Sequence, residues 1–198
     1  MKKRTIIILA SVFVFLSITI PVLIVRNEQK DWNSKRDWIE KTINKESMQT
    51  EADCGIVSVK MLLGFYDIDI SYVDLKKDLN STIEGTDWKN IKKYFNTLST
   101  VKSTDYKDDL GKAKEYLKNG YPLFICWDVD GDPEWSHYSI LISIDEKSVW
   151  MLDPAERKSL TQYSLDYFLP CWKNEKYWFC VLEESDDNIS KEQFTSDK

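Results

Sequence analysis

Two patterns of apolar positions divide the chain. Thr5–Val25 is a run of 21 residues without a charged side chain, mostly Ile, Val, Leu and Phe. As a helix it would span roughly 30 Å, the thickness of a bilayer's hydrocarbon core. A cleavable signal peptide has an apolar stretch of about 7–15 residues and a small-x-small cleavage site. This run is longer and ends Pro21-Val22-Leu23-Ile24-Val25-Arg26, with no such site. A core helix would show a polar stripe, and none is present. The pattern predicts an uncleaved anchor segment over residues 1–30, with the transmembrane helix at about 5–25.

Beyond it the apolar positions are periodic. Asp31 to about Glu46 carries Trp32, Ile39 and Ile43 among charges and reads as a juxtamembrane helix over 31–46. Asp53 is placed to cap a helix from Cys54 to about Tyr66, apolar on most faces and therefore buried. Ser71 is expected to cap a short helix through Leu79, with Val73, Leu75 and Leu79 inward. Thr86 is expected to cap a third from Asp87 to Leu98, and Asp108 to Asn119 forms a fourth, ended by Gly120. The period then shortens. Tyr121–Trp127, His137–Ile144, Val149–Leu152 and Trp178–Leu182 are runs rich in β-branched and aromatic residues, read as strands. Helices followed by strands predict an α+β domain over 47–183. Residues 184–198 read as an acidic, disordered tail.

Composition narrows the function classes. The net charge is −6, which leaves no basic surplus for phosphates and argues against nucleic acid as a partner. That charge is split. Residues 1–30 carry +4 and the remainder −10. The basic Met1-Lys2-Lys3-Arg4 start favours an inside N-terminus, although Arg26, Lys30, Lys35 and Arg36 lie just beyond the run. The expectation is a single-pass protein of the cell membrane with an extracytoplasmic C-terminal domain. The chain has one His, which excludes sites built on two imidazoles, including the usual catalytic zinc sets. No cofactor or metal is called for. Asp128–Glu134 has the look of a calcium loop, but its Gly stands fourth, not sixth, and no Glu follows at the twelfth position. It reads as a solvated rim before His137. Cys171 and Cys180 are candidates for a disulfide only if the domain faces an oxidising compartment.

The candidate chemistry is that of a thiol nucleophile. Cys54 sits at a predicted helix start, where the dipole and free N–H groups favour a thiolate. Gln49, five residues earlier, offers an amide that can join the Cys54 N–H in an oxyanion hole. His137 opens a strand and Asp153 closes the next one, before Pro154. A three-residue loop near Asp145-Glu146-Lys147 would set Ser139 opposite Asp153 and put His137 on the same face. A two-residue loop would turn Asp153 to the opposite face. The spacing leaves both registers open.

Gln49-x₃-Asp53-Cys54-Gly55, followed by an apolar helix ending Gly64-Phe65-Tyr66-Asp67, resembles the bacteriocin-processing (double-glycine leader) cysteine peptidases of the papain-like superfamily. Four later landmarks agree: Gly85-Thr86, Gly120-Tyr121-Pro122, Ser136-His137-Tyr138, and Val149 to Asp153-Pro154. The resemblance covers roughly Ser47 to Leu182. It implies a papain-like fold with Cys54 as nucleophile, His137 as base, Asp153 as orienter and Gln49 as oxyanion donor, acting on a peptide or protein. The Gln–Cys spacing is one residue shorter than usual in that family, and Ser136 replaces a Gly. Many relatives are fused to an export ATPase, whereas this chain reads as carrying its own anchor, so leader specificity is not carried over. A non-catalytic peptide-binding module and an acyl transferase using the same thiol are the alternative readings.

Overall fold

A computed structural model describes residues 51–156 and 160–185. The expected anchor, the segment 31–46 and Gln49 lie outside these residues. Among the described residues no helix is long and apolar enough to cross a membrane.

Helix α1 (Cys54–Phe65) follows a 3-10 turn at Glu51–Asp53 and buries Gly55 to Val59 and Met61 to Leu63. Asp53 occupies the cap position, but its side chain makes no capping bond. It is buried instead, with Lys76 Nζ 3.9 Å away. Helix α2 (Tyr72–Asp78) begins at Ser71, whose hydroxyl accepts the Asp74 N–H at 3.1 Å. Leu75 and Leu79 are fully buried, whereas Val73 is 74% exposed, contrary to the inward placement expected of it. Leu75 and Leu79 are one turn apart on one face; Val73, two residues before Leu75, faces away. Helix α3 (Trp88–Phe95) is capped by Asp87, which accepts the Lys89 N–H at 2.7 Å. Thr86, the expected cap, bonds Ser81 instead.

The remaining elements are β1 (Val101–Tyr106), α4 (Leu110–Lys118), β2 (Leu123–Asp128), β3 (Ser136–Ile144), β4 (Ser148–Leu152), β5 (Thr161–Ser164), α5 (Leu165–Asn174) and β6 (Phe179–Glu184). The strands form one antiparallel sheet in the order β1-β6-β2-β3-β4-β5. Strand β6 takes in Glu184, the first residue expected of the tail. Alternation gives the sheet two apolar faces. Leu123, Ile125, Trp127, Leu141, Val149, Met151, Phe179 and Val181 pack with α4 and α5. On the other face α1 and α3 cover the sheet, with Ser58 Oγ donating to the Tyr138 carbonyl at 3.0 Å and Trp88 stacked on Phe124. The domain is α+β with an antiparallel sheet.

The β3–β4 hairpin combines the two registers that the spacing left open. Asp145 and Ser148 close a two-residue turn through the Asp145 N–H and Ser148 carbonyl, at 2.9 Å. Ile144 pairs with Val149 and Ser143 with Trp150. The register then shifts, so Leu141 faces Met151 and Ile140 faces Leu152. Ile142 is the extra residue of a β-bulge. Continued outward, the shifted register sets Ser139 opposite Asp153 and returns His137 to Asp153's face.

Candidate active site

Cys54 is the first residue of α1 and is half-buried. The helix is seated closely at this end. A Cβ on Gly55 would lie 2.9 Å from Thr86 Cβ and 3.3 Å from Tyr138 Cδ2. Only glycine lets the helix carrying Cys54 approach β3 this closely.

His137, on β3 opposite Trp127, meets the indole edge-on with ring centroids 6.0 Å apart. Its Nε2 lies 2.7 Å from Asp153 Oδ1, and the Cys54 side chain is close enough to act on its titration. Because Nε2 is taken by Asp153, Nδ1 is the nitrogen left for the thiol. Burial opposes the imidazolium, but Asp153 and Cys54 outweigh it and raise the His137 pKa to about 9. Asp153 shows the converse balance. Burial pushes its carboxyl up, and the His137 hydrogen bond and charge, with donors from Tyr163 and Ala155, bring it below the usual carboxylate value. Ala155 N–H reaches Oδ1 at 2.9 Å, and the Tyr163 hydroxyl reaches Oδ2 at 2.6 Å. The arrangement can hold an imidazolium against a carboxylate while a thiol stands on the ring's other side.

The sequence matches the Peptidase C39 family over residues 42–181.

The chain belongs to the Peptidase C39 family.

That family is one of cysteine peptidases. The chain is 31% identical over 129 residues to the lactococcin transport/processing ATP-binding protein LcnC-like of Lactococcus lactis subsp. lactis (strain IL1403), covering 65% of this chain and 18% of that protein. It is 24% identical over 122 residues to the lactococcin-G-processing and transport ATP-binding protein LagD of Lactococcus lactis subsp. lactis, covering 60% and 17%. The chain therefore spans under a fifth of the length of the curated relatives it matches. Among solved structures, the peptidase domain of Streptococcus ComA superposes with a TM-score of 0.59 at 17% identity, covering 70% of this chain and 96% of that domain. A double glycine motif protease from an AMS/PCAT transporter, solved with its leader peptide, gives 0.54 at 18% identity, covering 71% and 90%. These likenesses carry the fold.

Two residues singled out in the sequence lie around Cys54, His137 and Asp153. Thr86 abuts Gly55, and Ser136 precedes His137 at the mouth of β3. The Ser136 hydroxyl sits 3.1 Å from Asp128 Oδ1 and 3.3 Å from Glu175 Oε1. Burial, then the Asp128 charge, raises the Glu175 carboxyl pKa. The carboxylates of the expected rim are engaged locally: Asp130 accepts the Tyr167 hydroxyl at 2.9 Å, and Asp132 accepts the Glu134 N–H at 3.0 Å. Among the described residues no three His, Cys, Asp or Glu gather as a metal-ligand set.

All four cysteines are free. Cys171 packs with Phe179 and Val181, so alternation sends Cys180 to the opposite face of β6, where a bond to Cys171 is out of reach. Cys126 is half-buried, more open than an apolar strand suggested.

Tyr163 and Trp127 are the members of this cluster that sequence reasoning missed. Trp127 lay within an expected strand, but nothing marked it as the ring beneath His137. Tyr163 sits on a strand whose residues, Thr-Gln-Tyr-Ser, carry no apolar alternation. The one usable signal was Ser164, whose hydroxyl accepts the Tyr167 N–H at 3.3 Å and starts α5.

Proposed function

We propose that the protein hydrolyses peptide bonds with Cys54 as nucleophile, His137 as base and Asp153 as the group that orients His137. The observation that carries this reading is the single imidazole, its Nε2 2.7 Å from Asp153 Oδ1, with Cys54 among the groups that raise its pKa. His137 takes the Cys54 proton, and the thiolate adds to the carbonyl carbon. The Gln49 amide and the Cys54 N–H donate to the oxyanion that forms. The imidazolium then protonates the departing amine, leaving a thioester. Water, deprotonated by His137, attacks the thioester and releases the acid.

The domain is held at the membrane by residues 5–25, with residues 31–198 on the outer side. The proposed substrate is a peptide or protein segment. One structural neighbour is a double glycine motif protease, so a Gly-Gly peptide is one arm of the test. The experiment is hydrolysis of an internally quenched peptide library, with and without Gly-Gly before the scissile bond, by the full chain in detergent. Cleavage that disappears in Cys54→Ala supports the reading, and cleavage that survives it contradicts the assignment. Protease treatment of intact cells tests the topology: residues 31–198 should be digested from outside, and full protection would place the domain on the inner side.

A further inference from the structure

We propose that Tyr163 is a positioning residue of this reaction, its hydroxyl pinning the Asp153 carboxylate so that His137 stays aimed at Cys54. The proposal rests on the Cys54–His137–Asp153 reading and adds a fourth member to it.

The two oxygens of Asp153 have different duties. Oδ1 takes both His137 Nε2 and the Ala155 N–H. Oδ2 takes the Tyr163 hydroxyl at 2.6 Å, a short bond of the kind a charged acceptor makes. Asp153 is only 5% exposed, so little solvent is at hand to replace that donor. A carboxylate held at one oxygen can turn about its Cβ–Cγ bond. Held at both, its plane is fixed, and with it the direction in which it pulls the imidazole.

Tyr163 is itself held in place. It pairs with Val149 across β4 and β5. Its ring meets Trp127 edge-on at 5.4 Å, and the same indole meets His137. Its other neighbour is Tyr167, stacked at 5.9 Å and 25°. Trp127 is fixed by its Nε1–H, which donates to Ser139 Oγ at 3.1 Å. One indole thus braces both partners of Asp153, and β5 presents the hydroxyl at the far side of the carboxylate. Among the described residues, the titratable groups facing Tyr163 are Asp153, Glu156 and Tyr167. Burial, then the Asp153 bond, raises its phenol pKa, so the hydroxyl keeps its proton and remains a donor.

The test is the pH dependence of Cys54 alkylation by iodoacetamide in the full chain, which needs no substrate. Tyr163→Phe keeps the ring and removes only the donor. A hydrogen bond to a charged group is worth roughly one decade in an equilibrium. The acid limb of the alkylation profile should therefore move up by about one pH unit, because Asp153 becomes easier to protonate. In an Asp153→Asn background the same substitution should change the rate less than about twofold, since its effect runs through the carboxylate. With 3-fluorotyrosine at position 163, a stronger donor, the limb should move the other way, which keeps the test valid if the Phe variant folds poorly. An unmoved limb in the Phe or fluorotyrosine protein, or an equal fall in rate in both backgrounds, overturns the proposal. If His137→Ala leaves Cys54 as reactive as in the wild type, the underlying reading fails instead, independently of Tyr163.

Discussion

His137 and Asp153 share a face of the β3–β4 hairpin because Ile142 is bulged out of register between them and the turn. The two-residue turn alone would point Asp153 away from His137. The extra residue at Ile142 reverses the alternation once, and the two side chains meet at 2.7 Å. Deleting Ile142 removes the extra residue together with the bulge, so Leu141 still faces Met151 and His137 stays on Asp153's face; Cys54 alkylation should persist in that variant, and its loss would contradict this register. Circular dichroism checks the fold and mass-spectrometric alkylation checks the site.

The solitary His makes its titration directly readable, since every imidazole signal in an NMR spectrum of the chain belongs to His137. It should titrate near 9 and fall markedly in Asp153→Asn. The sign for stability follows. A His raised from 6.5 to about 9 adds stability that is complete below 6.5 and is lost as pH rises through about 9. Asp153, lowered on folding, adds stability above its unfolded value and loses it as pH falls through its folded value. The alkaline loss is on the order of 3 kcal/mol. Thermal unfolding between pH 6 and 10 should show this fall in the wild type and a much smaller one in Asp153→Asn.

Gly55 is a packing constraint on the nucleophile. An alanine there would bring its Cβ to 2.9 Å from Thr86 Cβ and 3.1 Å from Thr86 Oγ1, and the start of α1 must move. The expected cost is about 1–3 kcal/mol of stability. Cys54 alkylation and hydrolysis should drop by about tenfold or more, since small displacements of a reacting group are costly. Melting temperature and alkylation rate measured on the same sample separate the two effects.

The parts of this site legible in the sequence are those marked by local chemistry. Cys54 opens an apolar helix, His137 opens an apolar strand, and Asp153 precedes a Pro. The hairpin register was not legible, because a bulge is a property of two strands and Leu141-Ile142-Ser143-Ile144 reads equally well without one. Strands β1 and β5 were missed because they edge the sheet and are largely polar. Helix α5 was hidden by Pro170, which reads as a breaker although it sits inside the helix. Tyr163 was out of reach for the same reason as β5: the sheet, and not its neighbours in sequence, brings it to Asp153.

The most direct measurement is competitive alkylation of the four cysteines with one equivalent of iodoacetamide at neutral pH, read by peptide mass spectrometry. Cys126, Cys171 and Cys180 all have thiol pKa values raised by burial and should react slowly. Cys54 should be modified first, faster than Cys126 by more than about tenfold, and His137→Ala should remove that preference. Equal rates at Cys54 and Cys126 in the wild-type protein would contradict an activated nucleophile at Cys54.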